Sequence, residues 1–106
     1  MGYRSQVALA LCSEADELLK ANAKWIPELA ELIKDNESDA PERYFWSSIK
    51  WYDSFKEIDV MNRFLEFLEH HDYQFGFIRL GEEEEDIQRM GYPSEYDMWV
   101  NRCIEW

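Results

Sequence analysis

The chain has 106 residues, 46% hydrophobic and 16% aromatic, enough for one packed core and too few for two ordinary domains. Five Trp, six Tyr and six Phe against four Gly and three Pro argue against disorder, because large rings bury enough apolar area to offset the entropy of ordering. A formal net charge of -12 opposes direct binding to DNA, RNA or anionic lipid; it suits either a basic partner surface or simple solubility.

SQVALALC alternates as a strand, with Val7, Leu9 and Leu11 on one face and the small Ala8 and Ala10 on the other, where a helix or neighbouring chain can approach closely. Ser13 reads as a helix N-cap with Asp16 at capping-box distance, opening EADELLKANA. Pro27 interrupts that helix and starts a second piece, PELAELIKD, with Leu29, Leu32 and Ile33 on its apolar side. NESDAPE is a polar connection. RYFWSSIKWYD is the clearest strand, rich in rings. Its alternation sets Phe45, Ser47, Ile49 and Trp51 against Tyr44, Trp46, Ser48, Lys50 and Tyr52, one face under helices and the other, partly polar, near solvent.

FKEIDVMNRFLEFLEHH has Ile58, Met61, Phe64, Leu65 and Leu68 at helical spacing, with Asp53 or Ser54 as cap. YQFGFIRL reads as a third strand and DMWVNRCIEW as a fourth. Between them, EEEEDIQRMGYPSEY is long for a tight hairpin and has room for one helical turn over Asp86 to Met90, closed by Gly91. The order predicts an α+β fold, a four-stranded mixed or antiparallel sheet with helices packed on one face, in a single domain spanning residues 1–106.

Catalytic and metal signatures are missing from the sequence. His70 and His71 fall at the end of the long helix, where its dipole favours a cation. Glu66 and His70, four apart, supply only two ligands, and no second motif completes a site, so no metal or cofactor is expected. Cys12 and Cys103 have no CxxC spacing and read as free, buried, reduced thiols in a cytoplasmic setting. No apolar run approaches the ~20 residues that span a bilayer, and MGYRSQ lacks the start of an export signal.

The acids concentrate late in the chain. Eleven lie between Glu66 and Trp106 against Arg79, Arg89 and Arg102, a net of -8. Glu82, Glu83, Glu84, Glu85 and Asp86 are contiguous and mutually repelling, unlike the spaced ligands of a calcium loop or the carboxyl pair of a glycosidase. Together with Tyr92, Glu95, Tyr96 and Asp97 they form the candidate partner-binding surface, because rings supply contact area at low entropy cost while charge steers encounter. The competing reading is a solvated loop beside core aromatics. An exposed strand edge or aromatic face could also pair two copies.

MGYRSQVALAL, WSSIKWYDSF and GFIRLGE followed by the acidic patch resemble a group of small phage and prophage accessory proteins of unassigned function. That resemblance implies a protein acting inside a bacterial host cell and carries over no site residues. With the charge, it points to a non-enzymatic inhibitor of a basic, nucleic-acid-binding host protein, a DNA mimic presenting carboxylates in place of phosphates. An immunity protein or antitoxin against a basic nuclease toxin has the same charge signature. A small enzyme without a recognisable motif is the third class.

Overall fold

A computed structural model describes residues 2–83, 85–101 and 103–106. The opening alternation forms strand β1, Ser5–Leu11, whose two faces go to two cores. Val7, Leu9 and Leu11 face the helices, Ala8 and Ala10 face away, and all five are buried. Helices α1 (Ser13–Ala23) and α2 (Pro27–Lys34) follow, with Pro27 in the first helical turn, where its missing N–H forfeits no intrahelical bond. The cap of α1 differs from expectation. Cys12 holds the N-cap position, and the Ser13 hydroxyl donates to Glu42. Asp16 is buried, accepts a hydrogen bond from the Tyr44 hydroxyl and pairs with Lys20.

Strand β2, Arg43–Ile49, runs antiparallel to β1 and is shorter than its aromatic run. Its register slips between the Val7–Trp46 and Ser5–Ile49 pairs, so two residues of β2 stand opposite Gln6 alone. Such a bulge turns every later side chain to the other face. The faces are the reverse of the expectation: Tyr44 and Trp46, on the face expected near solvent, enter the helix-side core because they follow Leu9 and Val7 in the register. Phe45 packs on the opposite side, and only the bulge brings Ile49 and Trp51 back to the helix side. Simple alternation had placed Ile49 and Trp51 with Phe45.

Helix α3, Lys56–His70, buries the five apolar residues its spacing predicts. Phe55 is its N-cap, and Asp53 instead accepts a hydrogen bond from the Asn62 side chain. His70 and His71 end the helix as expected. Strand β3, Phe75–Leu80, pairs with the free side of β1, and the fourth strand of the sheet, β4, is Ile87–Gly91. The sheet is antiparallel throughout, in the order β2-β1-β3-β4. This confirms the α+β reading and replaces the expected helical turn near Asp86 to Met90 with a strand. Ile87 and Met90 point to opposite cores, as a strand allows. Gly91, at φ +68°, ends the strand in a conformation that favours glycine.

Among the described residues, DMWVNRCIEW, expected as the fourth strand, does not join the sheet, because β4 already holds the edge beside β3. A short 3-10 helix, Pro93–Tyr96, leads into a separate hairpin of β5 (Trp99–Asn101) and β6 (Cys103–Glu105). Met98 and Ile104 pack on Ala8, Ala10, Ile78 and Leu80, so the small-residue face of β1, where close approach was expected, is covered by the chain's own C-terminal segment. Gly76 makes the approach possible, since a Cβ there would lie 2.8 Å from Met98 Cε and 2.9 Å from Pro93 Cα. Cys12 is half-buried and Cys103 exposed, so only the first is even partly a core thiol. Among the described residues, no helix is long and apolar enough to cross a membrane.

Candidate functional site

The described carboxylates of the run, Glu82, Glu83, Glu85 and Asp86, fall in the turn of the β3–β4 hairpin. Gly81 N–H donates to Asp86 C=O at 2.8 Å, and Asp86 N–H to Glu83 C=O at 3.0 Å, closing the loop on itself. Arg79, at the end of β3, forks onto Asp86 with contacts of 2.6 Å (Nη2–Oδ1) and 3.2 Å (Nη1–Oδ2). The same guanidinium reaches Ser5 Oγ at 3.1 Å and Gln88 Oε1 at 3.2 Å. Tyr3 completes the anchor from the other end of the chain: its hydroxyl donates to Asp86 Oδ2 at 2.7 Å and accepts from Glu83 N–H at 3.1 Å.

This network has an electrostatic consequence. The hydrogen bonds from Arg79, then from Tyr3, hold the Asp86 carboxyl below the usual carboxylate range. The same contact with Asp86 is the main cause that raises the Tyr3 hydroxyl above its ordinary value. Asp86 is thus an internal anchor, with its charge committed to Arg79. Glu82, Glu83 and Glu85 are exposed on the loop, and the Glu82 carboxylate accepts a hydrogen bond from Arg4 N–H. Glu84 lies outside the described residues.

The remaining sequence candidates sit elsewhere. Tyr92, Glu95 and Asp97 are exposed around the 3-10 helix, Asp97 in the left-handed region at φ 60°. Tyr96 is half-buried, and its main-chain carbonyl accepts from Arg43 and from the Trp106 indole, both at 3.0 Å. Burial comes first among the causes that raise the Tyr96 hydroxyl's pKa. The register pairs Leu80 with Ile87 and Gly76 with Gly91, so the acidic loop and the 92–97 segment stand at opposite ends of β4. Five residues of strand separate them, about 17 Å.

Sequence reasoning missed two kinds of residue here. Tyr3 and Arg79 preset the loop, but Tyr3 meets Asp86 across 83 positions and no local pattern announces the contact. Asp53, Asp59 and Glu66 line an open cleft of about 560 Å³ beside Gln88 and Met90 of β4, together with Asn62 and Arg63. The seven-residue spacing of Asp59 and Glu66 puts them on one face of α3 and was legible in principle. Asp59 also pairs with Arg63 at 3.1 Å.

Other hollows carry different chemistry. His70 and His71 share an open surface hollow with Glu66 and Glu69, and neither cysteine lines it. Among the described residues, no three of His, Cys, Asp and Glu converge to hold a metal. No protein-family model, curated protein or solved structure matches this chain.

Proposed function

We propose that this chain is a non-enzymatic acidic binding protein whose partner is a basic, nucleic-acid-binding protein, in the specific form of a phage-encoded inhibitor that presents carboxylates where the partner expects phosphates. One observation carries the reading: the hairpin loop that displays Glu82, Glu83 and Glu85 is held from within by the Tyr3, Asp86 and Arg79 network. Preorganised charge loses little conformational entropy on docking, so more of the Coulomb attraction is kept as affinity. A net charge of -12 extends the attraction beyond the loop.

The test is capture of basic proteins from bacterial lysate, followed by titration of the captured protein against the wild type and against a variant with Glu82, Glu83 and Glu85 changed to Gln. Binding that weakens with added salt and with the substitutions is the expected result. Binding indifferent to both rejects the electrostatic reading.

A further inference from the structure

The two edges of the sheet are treated differently. On β2, the outward groups are already used: Glu37 N–H donates to Phe45 C=O at 2.7 Å, the Glu37 carboxylate accepts from Ser47 N–H at 2.7 Å, and Arg43 N–H reaches Ala40 C=O at 3.4 Å. The β4 edge has no such cover. Hydrogen bonds from Gly81 to Asp86 and from Tyr92 to Phe75 fix the phase of the β3–β4 ladder, so residues 88 and 90 face β3 while Ile87, Arg89 and Gly91 turn their backbone groups outward. Ile87 N–H bonds back to Glu85 C=O. Among the described residues, the Arg89 N–H and C=O have no partner. β4 carries no proline and pairs with β3 without a bulge, the devices that commonly blunt an edge.

Charge identifies the occupant. On the helix side of β4, beside Gln88 and Met90, the cleft presents Asp53, Asp59 and Glu66 and, among the described residues, one cation, Arg63. A strand added at the usual spacing of ~4.8 Å would set every second side chain over that cleft. A second copy fits poorly. Antiparallel β4–β4 pairing would set each Glu82–Glu85 loop beside the partner's Glu95 and Asp97 and would bring two Arg89 side chains together.

We propose that the open edge of β4 takes an extended segment of a basic protein as a fifth strand, with lysine or arginine at alternate positions over Asp53, Asp59 and Glu66. The inference rests on the binding reading above and deepens it by naming the form of the partner's contact segment. Main-chain bonds to the outward groups of β4 give affinity, and the alternate cations give specificity. The residue opposite Arg89 is neutral or acidic.

The probe is a fluorescein-labelled ten-residue peptide with lysine alternating with valine and threonine, titrated by anisotropy against the full chain. Expected are binding, slowing of amide exchange at Arg89 by at least about tenfold, and at least about tenfold weaker binding when alternate peptide amides are N-methylated. Arg89→Pro removes an outward N–H that serves no ladder bond, and it makes the protein more acidic. It is expected to weaken binding by a similar factor, whereas charge attraction alone would strengthen it. Should Arg89→Pro not fold, the N-methylated peptide decides. Equal binding of the plain and methylated peptides overturns the inference, as does a concentration-dependent dimer in sedimentation that Arg89→Pro abolishes. Either result leaves the lysate capture and its dependence on Glu82, Glu83 and Glu85 standing, so the two proposals fail separately.

Discussion

Removing the Tyr44 hydroxyl would leave the Asp16 carboxylate, on a residue 5% exposed, with Lys20 as its remaining partner among the described residues, the ammonium lying 2.9 Å away. Burial first, and then the bond to Asp16, push the Tyr44 pKa far above its usual value, so the hydroxyl stays protonated and remains a donor. Tyr44→Phe is expected to lower stability by about 1–3 kcal/mol, because a buried acceptor loses its partner. Urea denaturation checks this, with a lower midpoint at an unchanged slope. Asp86 offers a pH-dependent counterpart. Its folded-state value lies below the unfolded one, so its contribution is complete above the ordinary carboxylate value of about 4 and is lost as pH falls through the lowered value. Asp86→Asn is expected to cost about 1–2 kcal/mol at pH 7, since the carboxylate is partly exposed, and the difference from wild type should shrink in acid. A difference that is constant across pH would contradict the Arg79 pairing.

At the scale of elements, the C-terminal hairpin is held onto the sheet by a narrow fit at Gly76. Gly76→Ala puts a methyl group against Met98 and the Pro93 backbone, and is expected to cost about 1–3 kcal/mol. Met98 is flexible at its end and Pro93 is not, so the cost of Gly76→Ala with Met98→Ala should fall short of the sum of the single changes. Thermal melts of the double-mutant cycle measure the shortfall. Helices and β1 were legible in the sequence because their periodicities are local: the positions of Ile58, Met61, Phe64, Leu65 and Leu68 need no knowledge of partners. The bulge in β2 was not, since it exists only as a register with β1. Nor was β4, whose hairpin turn depends on Arg79 and on Tyr3 from the far end of the chain. Composition marked the acidic residues of the candidate surface. It could not show that Asp86 is spent internally, or that a strand's length separates the loop from Tyr92, Glu95 and Asp97.

For the whole molecule, an excess of carboxylates surrounds two cores packed on opposite faces of one sheet, within extents of 34 × 32 × 27 Å. Charges on so small a body lie within a few Debye lengths of one another, about 8 Å each at physiological salt, so an approaching basic surface feels a joint field that added salt screens. The decisive measurement is therefore the affinity of a captured basic protein as a function of salt, for the wild type and for the variant carrying Gln at positions 82, 83 and 85. The account predicts affinity falling steadily with salt and a shallower fall for the variant. Affinity independent of salt, or identical curves for the two proteins, would contradict it.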